Sequence, residues 1–399
     1  MNSKKRKIIF VDDEPKILHG LRRLLRSMRK KWDMKFLESG AEALNYIKSN
    51  NIEVIVTDLK MPQMDGATLL EEVKNKYPDI VRIVLSGHAE KNKILKITQT
   101  AHQYLSKPCD TEILKSTINR IFNLRNLLSD KRLKELVSQM NVLPSLPSLY
   151  KQLSKKIEDP NTSLKEIGKI IQNDISMTTK ILHLINSSFF GTYEKITDPI
   201  KAVSYLGLEN IRTLVLTVKI FSDLKNYNID IKEIEQLWKH SLEVGKTAKM
   251  IASLEDLDQN VIDNSFLAGM LHDLGKLILI VNFPEFYRSV QLKVKENKIP
   301  LEEAEKRVFT ATHEKVGAYL LALWGIPEPV IQAVAYHHSI DETEISHLNE
   351  IMVVHISDFL VNKLDNKSRK PELSEKWLKN NNMFDNLKKW QNLISKDIK

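Results

Sequence analysis

The first third of the chain alternates short apolar runs with amphipathic stretches. Short runs that contain apolar residues predict strands at residues 7–11, 35–38, 54–58, 82–86 and 103–106, and the run at 54–58 is rich in β-branched residues. Between them, apolar residues recur every three or four positions, which indicates helices, with a loop and helix over residues 87–101. Strands that alternate with helices form a parallel sheet covered on both faces. We therefore predict a five-stranded, doubly wound α/β domain over residues 1–124.

From about residue 140 onward the pattern is helical, which predicts an all-α domain over residues 140–365. Ser163 followed by Glu166 has the spacing of a capping box at a helix start. The tail over residues 366–399 is predicted to be helical and docked, because a solvated tail would not carry two tryptophans. Further helices are predicted at residues 179–185, 202–205, 211–221, 237–252 and 265–281.

The two domains are joined by a segment whose apolar positions keep a helical spacing from Asp110 to Val137. This spacing predicts one continuous helix, with residues 125–139 as the linker. Such a helix can serve as a rigid spacer, or it can carry a rotation or a homodimer contact to the next domain. Both readings stay open, because two heptads fall short of what a coiled coil needs.

The composition limits the classes of protein to which this chain can belong. The formal net charge is +9, but the excess is scattered, and the densest basic stretch, residues 22–31, has apolar residues at helical spacing. We see no zinc finger, basic zipper or RNA-stacking motif, so direct binding of nucleic acid is not expected. Cys109 is the single cysteine, and we find no apolar run near the length of a bilayer span. We expect a cytoplasmic protein without membrane insertion.

Candidate chemistry collects where the predicted strands end. Asp12, Asp13, Asp58, Ser86 and Lys107 all follow or close a strand, and the carboxyl ends of parallel strands meet at one edge of the sheet. Three carboxylates repel one another unless a cation lies between them, and Mg²⁺ prefers oxygen ligands. A lysine and a hydroxyl suit the oxygens of a phosphoryl group. This edge therefore predicts phosphoryl transfer to Asp58.

These residues resemble the receiver domain of two-component response regulators over the whole segment. The resemblance implies that Asp58 is the phosphoacceptor, that Ser86 is the switch hydroxyl and that Tyr104 is the aromatic residue that responds to phosphorylation. It also implies Mg²⁺ held by Asp12, Asp13 and Asp58, and a lysine, Lys107, before a cis-proline. The expected partner is a sensor histidine kinase or a phosphotransfer protein.

The helical half resembles the HDOD output domain, a catalytically diverged relative of the HD phosphohydrolases. The resemblance rests on residues 143–147, Asp174, residues 180–182, Asn186 with Ser187, and the segments 189–191, 202–203 and 206–208. In that family these residues mostly hold the fold together, and Asn186 with Ser187 is interpreted as a hydrogen-bonding pair at a helix end. The resemblance implies an output that acts through a downstream protein, which the sequence does not name.

A second set of residues in the helical half has the chemistry of a metal site. Histidine nitrogens and carboxylate oxygens suit first-row transition ions, and a shared aspartate can bridge two of them. The order of these residues resembles the metal set of the HD superfamily, including its cyclic di-nucleotide phosphodiesterases, and Lys276 matches the lysine after the His-Asp pair. The candidate ligands of a divalent transition metal are His240, His272, Asp273, His313, His337, His338 and Asp358.

Two departures speak against hydrolysis. Gln236 stands where the phosphodiesterases have an acidic ligand, and no Gly-Tyr-Pro segment follows His338. The leading interpretation is a response regulator with a non-catalytic HDOD output. The alternative is a metal-dependent HD-class phosphohydrolase under the control of the receiver, so the question of enzymatic activity stays open at this point.

Overall fold

The structure is a computed structural model of the 399-residue chain. It describes residues 5–86, 100–125, 128, 130–140, 143–145, 147–159, 161–186, 195–212, 214–215, 222–223, 230–340, 343, 347–364, 373, 375–380 and 383–397. The predicted loop and helix over residues 87–101 lie outside this description except for residues 100 and 101. Ser187, the segment 189–191 and the predicted helical residues 216–221 lie outside it as well.

The N-terminal domain is built on a five-stranded parallel sheet in the order β2-β1-β3-β4-β5. Each pair of neighbours is parallel, and β1 lies between β2 and β3. The fold predicted from the alternation of strands and helices is confirmed. The strands are β1 (Arg6–Val11), β2 (Trp32–Leu37), β3 (Val54–Asp58), β4 (Val81–Ser86) and β5 (Gln103–Ser106).

Helices cover both faces of this sheet. Among the residues that the structure describes, Ile8 and Phe10 of β1 share one apolar cluster with two helices, whereas Ile9 and Val11 share another cluster with two different helices. Successive strand residues point to opposite faces, so both must be covered, and each fully buried side chain contributes about 1.5–3 kcal/mol. The helices are α1 (Pro15–Leu24) and α4 (Thr111–Arg125) on the first face, and α2 (Gly40–Ser49) and α3 (Gly66–Lys76) on the second.

The linker is not one continuous helix, and this prediction is wrong. Helix α4 ends at Arg125, Leu128 is buried outside any helix, and α5 (Lys131–Gln139) begins anew. The Asp130 side chain accepts hydrogen bonds from the backbone N–H groups of Arg132 and Leu133, so it caps α5. An aspartate at this position stabilises a helix start, and the apolar spacing alone did not reveal the interruption.

The described residues of the remaining chain are mainly helical, with two short parallel strands, β6 (Pro144–Ser145) and β7 (Ser222–Asp223), so the predicted fold class is confirmed. The capping box of Ser163 and Glu166 is confirmed at the start of α7. The helices are α6 (Pro147–Glu158), α7 (Leu164–Gln172), α8 (Ile175–Ile185), α9 (Pro199–Leu206), α10 (Leu208–Arg212), α11 (Ile231–Leu254), α12 (Gln259–Leu271), α13 (Leu274–Asn282), α14 (Pro284–Asn297), α15 (Leu301–Phe309), α16 (His313–Leu323), α17 (Glu328–Tyr336) and α18 (Glu350–Leu364).

The helix predicted over residues 265–281 is interrupted at His272 and Asp273, which separate α12 from α13. Among the described residues, one stretch, Gln259–Asn282, is long and apolar enough to cross a membrane. This corrects the expectation that no run approaches that length. Most of the stretch is buried inside the protein, so its apolar character belongs to the core of the helical domain.

Two further helices, α19 (Glu375–Asn380) and α20 (Phe384–Asp397), form the tail. Trp377 and Trp390 are both buried in a cluster that includes Ile251 of α11 and Leu360 of α18. The indole Nε1 of Trp390 donates a hydrogen bond of 3.0 Å to Glu255 Oε1. The tail is therefore docked on the helical domain, as the tryptophans led us to expect.

Gly275 provides a test of the packing around the helix interruption. A Cβ added there would lie 1.9 Å from the carbonyl oxygen of His313, so Gly275→Ala must push α13 away from α16. We expect a loss of about 3 kcal/mol or more in the free energy of unfolding, measured by urea denaturation. Gly20→Ala is the matched control, because nothing lies within 4 Å of its added Cβ and alanine favours the helix. Equal stability of the two variants would contradict this packing.

Candidate functional site

The carboxyl edge of the sheet brings two of its candidate carboxylates and the lysine together. Asp12 follows β1, Asp58 ends β3, and Lys107 follows β5. The Lys107 Nζ lies 2.7 Å from Asp12 Oδ2 and forms an ion pair with Asp58 Oδ1. The second oxygen of Asp58 accepts a hydrogen bond of 2.7 Å from the Lys60 N–H. The carboxylate oxygens of Asp12 and Asp58 lie close together, and both residues are buried. Such a set of oxygen ligands suits a small, hard cation such as Mg²⁺.

Burial and pairing act in opposite directions on these charges. Burial raises the pKa of Asp58, and the hydrogen bond and charge of Lys107 oppose this shift. Burial alone would lower the pKa of Lys107, but its hydrogen bonds to Asp12 and Asp58 raise it above the ordinary value. The lysine is thus held as a cation beside the proposed acceptor, where a phosphoryl group would add negative charge.

The other predicted receiver residues lie on or next to strands of the same sheet. Asp13 is next to Asp12 and partly exposed, and Ser86 is the last residue of β4, although its side chain lies outside the description. The peptide bond between Lys107 and Pro108 is cis, as the resemblance implied. Tyr104 of β5 is buried, and its hydroxyl donates a hydrogen bond of 3.4 Å to the Ala101 carbonyl oxygen.

The strands β4 and β5 also contact the helical domain. The Gln103 side-chain amide donates a hydrogen bond of 3.0 Å to the carbonyl oxygen of Ala322, at the end of α16. Arg82 Nη2 and His102 Nε2 both lie 2.7 Å from the carbonyl oxygen of Ser138 in the linker helix α5. The contacts of Arg82 and His102 hold the end of α5 against the receiver domain.

The Tyr104 ring faces the same interface. Its centroid lies 6.3 Å from that of His183, which in turn stacks on Trp324 at 5.3 Å. His183 Nδ1 lies 2.6 Å from the Trp324 carbonyl oxygen, and burial lowers the pKa of His183 to about 3, so the ring is neutral. Sequence reasoning missed this interface. The one local signal was a charged residue, Arg82, inside an otherwise apolar strand.

In the helical domain the structure brings all seven candidate metal ligands to one buried place. Each comes from a helix or from a helix end, and no ligand side chain is more than 12% exposed. The contributing elements are α11 for His240, the interruption between α12 and α13 for His272 and Asp273, the first residue of α16 for His313, the end of α17 for His337 and His338, and α18 for Asp358.

Asp273 lies at the centre of this cluster. Its Oδ1 is 3.4 Å from His313 Nε2 and 3.9 Å from His337 Nε2, and its Oδ2 is 3.5 Å from His272 Nε2. Lys276 Nζ donates a hydrogen bond of 2.8 Å to Asp273 Oδ2. The ligand atoms form two overlapping sets that share Asp273, and within each set they lie within 4.8 Å of one another.

The second aspartate closes the other side of the cluster. Asp358 Oδ1 lies 2.9 Å from His240 Nε2 and 3.7 Å from His272 Nε2. Its Oδ2 lies 4.0 Å from His338 Nδ1. Burial alone would raise the pKa of Asp358. The hydrogen bond from His240 and the neighbouring histidines lower this pKa instead, so Asp358 is ionised. Two carboxylates and several imidazoles therefore converge on one volume.

The outer nitrogens of two rings set their tautomers. Nδ1 of His272 lies 2.7 Å from the Gly269 carbonyl oxygen, and Nδ1 of His337 lies 2.8 Å from that of Val334. A carbonyl oxygen only accepts, so each Nδ1 carries the proton and each Nε2 presents a lone pair to the cluster. In the described part of the chain, the Nε2 atoms of His272, His313 and His337 are buried without a hydrogen-bond partner.

The electrostatics and the donor set fit a transition metal. Burial lowers the pKa of His272, His337 and His338, which keeps these rings neutral, as ligands must be. Imidazole nitrogens with two carboxylates favour Zn²⁺, Fe²⁺, Mn²⁺ or a similar ion over Mg²⁺. Gln236, one turn before His240 on α11, is exposed. The cluster is nearly closed to solvent, and its accessible side is formed by His338 and Lys276, with 12% and 18% of their side chains exposed.

Curated proteins related to this chain include an uncharacterized protein of Treponema pallidum (strain Nichols). It is 27% identical over 256 residues, which are 63% of this chain and 49% of that protein. The hydrogenase transcriptional regulatory protein HoxA of Cupriavidus necator is 29% identical over 159 residues, which are 39% of this chain and 32% of that protein. The chain thus spans half or less of the length of these relatives.

Solved structures similar to this chain include the MmoQ response regulator of Methylococcus capsulatus str. Bath. It is 19% identical, with a TM-score of 0.49, and the match covers 63% of this chain and 98% of that one. An HDOD domain protein of unknown function from Geobacter sulfurreducens is 24% identical, with a TM-score of 0.36, and the match covers 71% of this chain and 94% of that one.

Two family profiles match this chain, and their boundaries agree with the two domains of the structure. The profile of the response regulator receiver domain matches residues 8–119, and the profile of the HDOD domain matches residues 143–340. The first range holds the parallel sheet with Asp58 at its edge, and the second holds most of the helical domain. The chain therefore belongs to the two-component response regulators that join a receiver domain to an HDOD output domain.

Proposed function

We propose that this protein acts in the cytoplasm and that Asp58 accepts a phosphoryl group from a sensor histidine kinase or phosphotransfer protein. A carboxylate oxygen of Asp58 attacks phosphorus, the N–P bond of the donor phosphohistidine breaks, and the released imidazole takes up a proton. Asp12, Asp13 and Asp58 would hold Mg²⁺, which neutralises the phosphoryl oxygens. The proposal rests chiefly on one observation, the Lys107 ammonium held between Asp12 and Asp58 at the end of β5.

We further propose that β5 transmits this event to the output domain. Lys107 directly follows β5, and the same strand carries Gln103 and Tyr104, which contact α16 and His183. A phosphoryl group on Asp58 changes the charge that Lys107 faces, so the end of β5 must adjust. The contacts of Gln103 and Tyr104 then change, and the output domain presents a different surface to a downstream protein.

We propose that the cluster around Asp273 holds a divalent transition metal. The observation that supports this is the set of three buried Nε2 atoms, of His272, His313 and His337, which face Asp273 and have no hydrogen-bond partner among the described residues. Buried polar atoms are normally satisfied, and a metal ion would satisfy all three at once. In this first reading the metal stabilises the output domain, and the domain acts by protein contact.

A second candidate function is an HD-class phosphohydrolase. It is favoured by the sharing of Asp273 between two ligand sets, since two bridged ions polarise a phosphate oxygen and activate water for phosphodiester hydrolysis. The near closure of the cluster and the exposed glutamine at position 236 favour the first reading, because catalytic metal sites keep a position open to substrate.

The phosphoacceptor is tested with acetyl phosphate and Mg²⁺. Asp58→Asn keeps the shape of the side chain but removes the nucleophile, so we expect phosphate incorporation, measured by intact mass, to disappear. Asp33→Asn, an exposed aspartate on β2, is the control and should leave incorporation unchanged. Incorporation that survives in Asp58→Asn would show that another residue accepts the phosphoryl group.

The role of β5 is tested by hydrogen–deuterium exchange of α16 with and without acetyl phosphate. We expect phosphorylation to change exchange in the last turn of α16, and Gln103→Ala to reduce that change, because the variant loses the hydrogen bond to Ala322. Asn45→Ala, an exposed residue of α2, should behave like the unsubstituted protein. An unaltered response in Gln103→Ala would exclude this contact as the route.

The metal site is tested on the full-length protein by elemental analysis and thermal unfolding. A chelator should lower the melting temperature, since a metal at 100 times its Kd stabilises the folded state by about 2.7 kcal/mol. Asp273→Asn should abolish this sensitivity, whereas Asp258→Asn, an exposed aspartate at the start of α12, should keep it. Absence of bound metal in the unsubstituted protein would contradict the proposal. Hydrolysis of a cyclic di-nucleotide that is lost in His272→Ala would instead establish the second function.

A further inference from the structure

Glu305 is a fully buried carboxylate that belongs to none of the ligand sets described above. It lies on α15, and its side chain is 0% exposed. Its Oε2 accepts hydrogen bonds from both the backbone N–H and the Nδ1–H of His313, at 2.9 and 2.8 Å. In the described part of the chain, its Oε1 is buried without a hydrogen-bond partner.

Such a carboxylate is costly for the fold. An ionised group in the interior loses several kcal/mol of solvation, and a replacement by an apolar residue of similar volume is often neutral or stabilising. The hydrogen bonds from His313 to Oε2 offset part of the lost solvation energy. Oε1 has no hydrogen-bond partner among the described residues, so the rest of that loss is not offset. A reason other than stability is therefore needed for a glutamate at this position.

The geometry of His313 supplies that reason. Its backbone carbonyl packs against Gly275, and its N–H and Nδ1–H are both held by Glu305, so the ring has little freedom to turn. A carboxylate only accepts, so Nδ1 must carry the proton, and Nε2 is aimed at Asp273 Oδ1, 3.4 Å away. His272 and His337 are fixed in the same way, but by neutral carbonyl oxygens.

We infer that Glu305 is a positioning residue of the metal cluster, which fixes the tautomer and orientation of His313 and, through its charge, makes that ring a stronger ligand than its neighbours. The inference rests on the proposed metal site. Carboxylates that hold the outer nitrogen of a ligand histidine raise the basicity of the ring, and their removal typically costs 10- to 100-fold in metal affinity. The affected ion is the one bound by the set of Asp273, His313, His337 and His338.

Two substitutions separate the charge from the hydrogen bond. Glu305→Gln keeps the volume and an acceptor oxygen but removes the charge, and Glu305→Met removes both. Competition with a zinc chelator on the full-length protein should show a loss of about 10-fold for the first variant and about 100-fold for the second. Glu303→Gln is the matched control, because Glu303 lies on the same helix, is exposed and pairs with Arg307. It should bind zinc as the unsubstituted protein does.

A second measurement reports on position rather than on stability. The hydrogen-bonded Nδ1 proton of His313 should give a slowly exchanging downfield resonance, assigned by its loss in His313→Asn. We expect it to shift in Glu305→Gln and to vanish in Glu305→Met, whether or not metal is present. Unchanged zinc affinity in both variants, with only a lower melting temperature, would reduce Glu305 to a packing residue and overturn the inference. If the competition experiment shows that the unsubstituted protein binds no zinc, this result contradicts the proposed metal site itself, before the two variants are compared.

Discussion

The helical domain depends on the burial of one charge, the carboxylate of Asp273. Only 2% of this residue is exposed, and an isolated carboxylate in such a place would be too costly to retain. Among the described residues, Lys276 donates a hydrogen bond to this carboxylate. The Nε2 atoms of three imidazole rings surround its two oxygens without hydrogen-bonding to them, which leaves a place for the proposed metal ion to complete the compensation. Those groups come from α13, α16, the end of α17 and the interruption before α13. The ends of several helices therefore meet around Asp273.

This constraint explains local features that otherwise look unrelated. The polypeptide leaves the helical conformation between α12 and α13, which turns His272 and Asp273 inward. Gly275 then allows α13 to approach the carbonyl of His313 so closely that no larger residue would fit. Both features weaken a helix when considered alone.

Much of this architecture could be predicted from the sequence, because the relevant signals are local. A β-branched run ends in Asp58 and a short run with Tyr104 and Leu105 precedes Lys107, so together with the other runs they indicate a parallel sheet and its chemical edge. The order of histidines and aspartates indicates the second cluster. Helix interruptions were not predictable in this way. Apolar spacing from Asp110 to Val137 is the same for one helix or two, and the cap at Asp130 decides between them. The contacts of Arg82, His102 and Gln103 were missed because their partners are distant in sequence. Glu305 did leave a signal, since it lies on the apolar face that Leu301, Ala304 and Val308 mark on α15.

Helix α16 has a consequence that extends beyond either site. Its first residue, His313, belongs to the proposed metal cluster, and Ala322, near its last residue, accepts the hydrogen bond from the receiver strand β5. Eleven helical residues span about 16 Å and behave as a stiff rod over that length. A free-energy linkage between two sites acts equally in both directions. Any influence of the phosphorylated receiver on metal affinity therefore implies an equal influence of the metal on the phosphorylation equilibrium, so the output domain would report its own metal status back to the kinase reaction.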